Sequence, residues 1–324
     1  MSTRILDSSP HILPLYARAA APLIPGASLL PFVPGGGGEI PEIELELGAV
    51  AADPAAVAAY ARVCGFALRD HLPPTYPHVL AFSLQMAVMA DGRFPFGAVG
   101  LVHVANRINQ LRPIGVDEEL TIRVRPTQLE PHPKGRTFTL QTEALAGEEP
   151  VWESVSTMLR RGKGGESVID PAMRDETRTR GSEALNGDAR ASAEWRLGGD
   201  LGRRYAAVSG DRNPIHMHSL TARALGFPAA IAHGMWTKAR CLAVLESRLP
   251  DSFSVDVRFR KPILLPAYVE FASTKEGEGI DFAVRDAKNG APHLDGRLTP
   301  LWSGANGKSA TTSKTKTATR RKAS

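Results

Sequence analysis

Tyr205-Ala-Ala-Val-Ser-Gly-Asp-Arg-Asn-Pro-Ile-His216, followed by Ala232-His-Gly-Met235, places a carboxylate (Asp211), a carboxamide (Asn213) and an imidazole (His216) within six residues. Pro214 interrupts the segment, so it cannot be the middle of a regular helix, and the residue before a proline is pushed toward extended conformations. Asp211, Asn213 and His216 are therefore expected on an irregular loop, where several polar side chains can turn toward one point. Loops on rigid scaffolds are where catalytic groups concentrate. A carboxylate and an imidazole around one small space can move a proton in both directions. Taken alone, Gly-Asp-x-Asn-Pro is also an ordinary turn; His216 at this spacing and a helix opening in His233-Gly234 favour a site.

The pattern Y-x-x-x-S-G-D-x-N-P-I-H, then a helix opening in H-G-M, resembles the signature of MaoC-like (R)-specific enoyl-thioester hydratases, also called hydratase 2. The chain as a whole is similar to the double-hot-dog 3-hydroxyacyl-thioester dehydratases of fatty-acid elongation. That resemblance runs over about residues 10–302 and is sharpest at 205–235 and 255–266. It implies an α+β fold in which antiparallel sheets wrap central helices. It also implies a lyase that adds water to trans-2-enoyl thioesters in the syn sense, or removes it from (R)-3-hydroxyacyl thioesters. Asp211 and His216 would bracket the water, and the residues leave open which is acid and which is base.

Gly234 carries a second expectation. The first N–H groups of a helix have no internal acceptor, and the dipole there is positive. A thioester carbonyl at that end gains a hydrogen bond as negative charge develops; one such donor is typically worth ~3–4 kcal/mol of barrier. A glycine lets the carbonyl approach closely. Asn213, Ser209 and His233 are read as supports of the site. Arg258, Arg260 and Lys261 flank a strand beside Pro262 and are candidate contacts for the phosphates of coenzyme A or an acyl carrier protein. His216, His218 and His233 suggest a metal site on paper, but no H-E-x-x-H pattern accompanies them, and no metal or cofactor is expected. His103 and His293 lie in strand-like runs and read as ordinary histidines.

An internal repeat organises the chain. Tyr60-Ala-Arg-Val-Cys-Gly65 mirrors Tyr205–Gly210, Tyr76–Phe82 mirrors Ile231–Thr237, and Arg112-Pro-Ile114 mirrors Lys261-Pro-Ile263. In this alignment Phe66 stands opposite Asp211, Leu68 opposite Asn213, His71 opposite His216 and Val79 opposite Gly234, so the first half keeps a frame without a site. The resulting organisation is an N-terminal strap (1–38), a degenerate half (39–162), a linker (163–193), a catalytic half (194–302) and a basic tail (303–324). Pro77, Gly92 and the Phe94-Pro-Phe96 break predict a short or bent helix in the first half that leaves a channel for an acyl tail.

Periodicity places the elements. Asp200 is a candidate cap for a helix from Leu201 to about Val208. Met235, Ala239, Leu242, Leu245 and Leu249 recur at helical spacing, so a central helix is expected from His233 to about Leu249, ended by Pro250. Ser254–Leu264 alternates as a half-buried strand does, Tyr268–Ser273 follows, and Phe282–Ala287 and His293–Trp302 form a hairpin about Asn289-Gly290. In the first half a helix is expected near Pro77–Met89, then strands near 102–109, 119–125, 137–146 and 151–160.

Composition narrows the remaining classes. The 324 residues give ample core for one large or two modest domains. Cys64 and Cys241 make no disulfide framework, so a reducing cytoplasm is the default. No apolar run reaches the length of a membrane span, and prolines break the apolar stretch 12–33 into a helix and strap. The formal charge is +5, but the segment after Trp302 holds six basic and no acidic residues, leaving about −1 for the rest. Such a Ser/Thr/Lys tail buries too little apolar surface to fold. Neither nucleic-acid binding nor membrane insertion is expected, and a monomer or homodimer suits a chain that already contains two halves. A hot-dog thioesterase is the competing enzyme class, and a scaffold protein the non-enzymatic one.

Overall fold

The computed structural model of the chain describes residues 2–21, 38–127, 129–162 and 193–301. The expected linker apart from Ala193, the joint at 35–37 and the basic tail lie outside the described residues. The helices are α1 (Ile12–Ala20), α2 (Pro54–Cys64), α3 (Tyr76–Leu80), α4 (Phe82–Met89), α5 (Leu201–Ser209), α6 (Pro214–Met217), α7 (Ser219–Ala224) and α8 (Gly234–Leu245). The strands are β1 (Ser2–Leu6), β2 (Ile43–Val50), β3 (Val102–Gln110), β4 (Leu120–Pro126), β5 (Glu130–His132), β6 (Gly135–Ala146), β7 (Glu149–Arg161), β8 (Ala193–Leu197), β9 (Phe253–Phe259), β10 (Ala267–Glu276), β11 (Gly279–Asp286) and β12 (Pro292–Pro300).

All twelve strands join one sheet in the order β1-β2-β4-β6-β7-β3-β9-β12-β11-β10-β8, with β5 added beside β6. From the centre outward the first half runs β3-β7-β6-β4-β2 and the second β9-β12-β11-β10-β8. Each half therefore uses its strands in the same chain order, and the two meet where β3 pairs antiparallel with β9, from Ala105↔Arg258 to Gln110↔Phe253. This is a double hot dog. The strands form for the expected reason: on β9, Phe253, Val255 and Val257 are buried while Ser254 and Asp256 are partly exposed, the period-two pattern of a half-buried sheet.

Each half wraps its own central helix. In the first, the helix is interrupted at Ala81, so α3 and α4 are short, as the Pro77 and Gly92 pattern predicts. In the second, α8 buries Met235, Trp236, Thr237, Lys238, Ala239, Cys241, Leu242 and Leu245, that is, residues on every face. A helix buried all round is a core element. It is shorter than expected: the α-helix ends at Leu245 and a 3₁₀ turn (Glu246–Arg248) replaces its last part, ahead of Pro250. Asp200 stands at the start of α5 but makes no side-chain cap. The β11–β12 connection spans 287–291, wider than a two-residue Asn-Gly turn, and Asp286 organises it by accepting from the Lys288 and Asn289 amides.

Four strands escaped the sequence reading, the short β5 among them. β2 and β8 occupy equivalent outer positions in the two halves, and β1, from the strap, adds parallel to β2 through Ser2↔Ile43 to Leu6↔Leu47. The strap is thus partly a sheet element.

The core contains an unexpected lysine. Lys238, completely buried on α8, donates its ammonium to the Asn106 carbonyl at 3.1 Å, the Asn106 side-chain oxygen at 2.5 Å and the Val255 carbonyl at 3.0 Å. Asn106 lies on β3 and Val255 on β9, so one side chain ties the central helix to both strands of the seam. Burial drives its pKa well below the ordinary lysine value. Lys238→Met should destabilise the fold, because each buried acceptor left unsatisfied costs about 1–3 kcal/mol. Urea denaturation should show a lower midpoint; an unchanged midpoint would mean that the three bonds contribute nothing net.

Candidate active site

The second half has room for a site because its chain takes a longer route between two equivalent points. Gly65 ends α2 and Gly210 ends α5, both in the left-handed conformation that favours glycine. In the first half the chain reaches the sheet six residues later, where His71 bridges Gly115; in the second it does so at Ile231, which bridges Leu264. The amide of Leu72 then bonds the Ile114 carbonyl just as that of Ala232 bonds the Ile263 carbonyl. His71 therefore corresponds to Ile231 and not, as the repeat suggested, to His216. Residues 211–230 form an overhang with no counterpart in the first half.

The overhang is more ordered than an irregular loop. Pro214 opens the single helical turn α6, which carries His216, and α7 follows. Ile215, Ala222, Phe227 and Ile231 form a small apolar cluster beneath it. Gly202 on α5 makes the seat: a Cβ there would lie 2.0 Å from the His216 carbonyl oxygen.

Asp211 divides its two oxygens. Oδ1 accepts from the Asn213 amide at 3.1 Å and from the Tyr16 hydroxyl at 3.0 Å, while Oδ2 stands 3.7 Å from His233 Nε2. Its backbone is held as well: the amide donates to Ser209 Oγ and the carbonyl accepts from His233 Nε2 at 3.0 Å. Burial raises the carboxyl pKa, but the His233 and His216 rings, the Asn213 amide and the Tyr16 hydroxyl outweigh it and hold Asp211 below the usual aspartate value. The group is a carboxylate at neutral pH.

His216 is buried, and its Nδ1 lies 2.8 Å from the Ile231 carbonyl. A carbonyl only accepts, so Nδ1 carries the proton and Nε2 keeps its lone pair. Burial, against the pull of Asp211, lowers its pKa below the ordinary histidine value. His233 stacks on it, centroids 3.7 Å apart at 25°, and burial together with His216 pushes the His233 pKa down to about 3. Asp211, His216 and His233 each bring one donor atom within 4.8 Å of the others. A nitrogen lone pair lies in its ring plane, so two nearly parallel rings carry their lone pairs side by side instead of to one point. The set suits a bridging water better than a tetrahedral metal. His218 is exposed and does not join it.

Gly234 is the first residue of α8, with His233 at its N-cap. Its missing side chain has a packing reason also: a Cβ would come within 3.0–3.1 Å of the Phe259 ring. Asn213 leaves its side-chain Oδ1 buried without a partner at the same place. All these groups open into a cleft of about 1420 Å³. In one direction the cleft runs under the first half, between Phe82 and Met89 on α4 and Phe138 and Leu140 on β6. In the other it reaches Arg258, Arg260, Lys261 and, from the opposite half, Lys134. Arg260 is paired with Asp295 at 2.6 Å. His103 and His293 also line the cleft, each with a buried and unpartnered Nε2.

The chain is 37% identical over 271 residues to the 3-hydroxyacyl-thioester dehydratase X of Mycobacterium tuberculosis, covering 83% of this chain and 92% of that one. The crystal structure of that organism's HtdX superposes with a TM-score of 0.70 at 35% identity, over 80% of this chain and all of the other. The family model of the MaoC like domain matches residues 186–294. The chain belongs to the MaoC-like dehydratase family. It is a hydro-lyase. A MaoC-like dehydratase from Phytophthora capsici, only 18% identical, has the same fold with a TM-score of 0.63 over 82% of this chain.

In this MaoC-like dehydratase, Asp211, Asn213, His216, Ser209, His233 and Gly234 converge on one end of the cleft, whereas Arg258 and Lys261 lie at its mouth. Sequence reasoning missed Tyr16, because nothing local connects position 16 with 211, and it missed Gly202, an unremarked helix glycine. Gly202→Ala should displace the His216 backbone and lower turnover at least tenfold while the protein stays folded by circular dichroism. Wild-type turnover in that variant would show that α5 and α6 can separate without effect on the histidine.

Proposed function

We propose that the protein catalyses reversible hydration of trans-2-enoyl thioesters, equivalently dehydration of (R)-3-hydroxyacyl thioesters, carried on coenzyme A or an acyl carrier protein, in fatty-acid metabolism. The observation that carries this reading is that an Asp211 carboxylate oxygen and a His216 ring nitrogen lie within 4.8 Å of one another in the cleft, with His216 Nδ1 held by the Ile231 carbonyl so that Nε2 keeps its lone pair. The relative named 3-hydroxyacyl-thioester dehydratase X supports the substrate class, as does a 3-hydroxybutyryl-CoA dehydratase of Methylorubrum extorquens that is 39% identical over 70 residues, 20% of this chain and 45% of that one.

In the hydration direction a water sits between His216 Nε2 and Asp211 Oδ2. His216 takes one proton as the water oxygen bonds to C3, and the electrons of the double bond move toward the thioester carbonyl. The resulting imidazolium is stabilised by the Asp211 carboxylate and returns the proton to C2 on the same face. No group ends the cycle changed. Amides at the start of α8, beginning with Gly234, meet the enolate-like oxygen, where such preorganised donors act most strongly. Asn213 Oδ1 accepts the second hydrogen of the water. The acyl tail follows the apolar arm of the cleft beneath the first half, and Arg258 and Lys261 face the phosphates of the carrier. The first half lacks the overhang, so each chain holds one site; titration with a tight enoyl-thioester analogue should give one equivalent.

Asp211→Asn and His216→Gln keep size and hydrogen bonding but remove proton transfer, a contribution of ~10²–10⁴ in rate. Each should reduce hydration of crotonyl-CoA at least a hundredfold with circular dichroism unchanged. A tenth of wild-type activity in either variant would break the dyad. Free thiol released from crotonyl-CoA by the wild type, without loss of the enoyl absorbance, would identify a thioesterase instead.

The pH dependence has a defined sign. His216 must be neutral to accept a proton, and its pKa lies below the ordinary value of 6.5. The midpoint of the acid limb of kcat/KM should therefore lie below pH 6.5. A limb centred above pH 7 would contradict a desolvated His216 acting as base.

A further inference from the structure

Among the described residues, Tyr16 is the one group on the catalytic carboxylate that comes from outside both hot-dog halves. It sits on α1, nearly two hundred residues away in sequence, and its hydroxyl works in two directions: it donates to Asp211 Oδ1 at 3.0 Å and accepts from the Arg212 amide at 2.6 Å. Burial, reinforced by the carboxylate, raises the phenol pKa above its ordinary value, so it remains a protonated donor.

The contact is part of a docked face. Ile12 lies one turn before Tyr16, and its Cδ1 occupies the space of the missing Gly210 side chain, 2.7 Å from where a Cβ would stand. Gly210, with φ 77°, is the residue that ends α5 and releases the chain into Asp211. Leu15 and Ala19 bury the same helix, and Ser9 bonds Ser83 on α4 at 2.8 Å. Three successive residues at the start of the overhang, 210, 211 and 212, are thus gripped by Ile12 and Tyr16.

We propose that Tyr16 is a positioning residue for the hydration reaction, and that the N-terminal strap completes the active site by fixing which oxygen of Asp211 faces the water. With Oδ1 occupied by Tyr16 and Asn213, only Oδ2 is left toward His216 and His233. Without the hydroxyl, the carboxylate loses one of two donors on Oδ1 and can rotate, and the Arg212 amide loses its acceptor. The proposal rests on the functional reading above. Groups that titrate or carry charge around Asp211 are Tyr16 from the strap, His216, His233 and Tyr205 from the second half, His78 and His103 from the first, and Arg212 beside it. Of these, Tyr16 is the one on α1, and Tyr16→Phe removes its hydroxyl while keeping the ring.

The test uses the full chain. Tyr16→Phe should lower kcat for crotonyl-CoA hydration about ten- to a hundredfold, with KM within twofold, since the ring still packs and no substrate contact is lost. The Asp211 carboxyl, followed by NMR, should titrate at higher pH than in the wild type, because a carboxylate with one donor fewer is more easily protonated; a merely structural tyrosine would not move it. Exchange of the Arg212 amide, followed by NMR, should quicken. Leu13→Ala, on the exposed face of α1, should keep wild-type kinetics and controls for helix stability. An active wild type with Tyr16→Phe kcat within twofold and an unmoved Asp211 titration overturns the proposal alone. A wild type that leaves crotonyl-CoA unchanged overturns the functional reading, and the proposal with it.

Discussion

The antiparallel pairing of β3 with β9 is the constraint on which the rest of the molecule depends. It makes one sheet of two halves and leaves no free edge between them. Lys238 reinforces it from beneath, spending its ammonium on carbonyl and amide oxygens of both strands. A buried cation needs several oxygens within reach, and the seam supplies them only if α8 sits at one height and rotation. Lys238 is one helical turn from Gly234. The bonds that satisfy the charge therefore also set where the first amides of α8 and the His233 ring meet the cleft.

The two halves show how a site is gained on a shared frame. Their strand order is the same, their central helices occupy equivalent places, and glycines end α2 and α5 alike. What differs is the chain between that glycine and the next bridge to the sheet. Six residues allow only a direct path, whereas the longer path from Gly210 to Ile231 builds a turn of helix, a small apolar cluster and a place for an imidazole. The shorter half has no such overhang, and its own helices are packed largely among apolar side chains.

Electrostatics in the site follow from burial. Two stacked imidazoles in a desolvated position resist protonation, and His216 adds to the cost for His233. A carboxylate in the same space stays ionised because amide, hydroxyl and imidazole donors compensate the loss of water. The combination keeps one negative charge and one free lone pair side by side at neutral pH. Such a pair has a site for a proton on nitrogen and a negative charge beside it.

Much of this was legible in the chain, and the reasons are local. Gly-Asp-x-Asn-Pro-Ile-His is contiguous, so turn chemistry and proline bring Asp211, Asn213 and His216 together whatever surrounds them. The alternation of β9 and the helical stripe of α8 report burial directly, because a side chain's face follows from its period. Lys238 lies on that stripe, three residues after Met235 and four before Leu242, and its burial could have been read there. Tertiary structure alone decided the rest. The repeat aligned His71 with His216 because spacing within one segment cannot reveal that the other segment takes a longer route; only the bridges at His71 and Ile231 fix the correspondence. The edge strands β1 and β8 have five residues each and exist through their pairing, whereas β2 alternates Ile43, Leu45 and Leu47 with glutamates and was legible. Tyr16 reaches Asp211 because α1 docks against α4 and Gly210, a contact between residues far apart in sequence that no local propensity encodes.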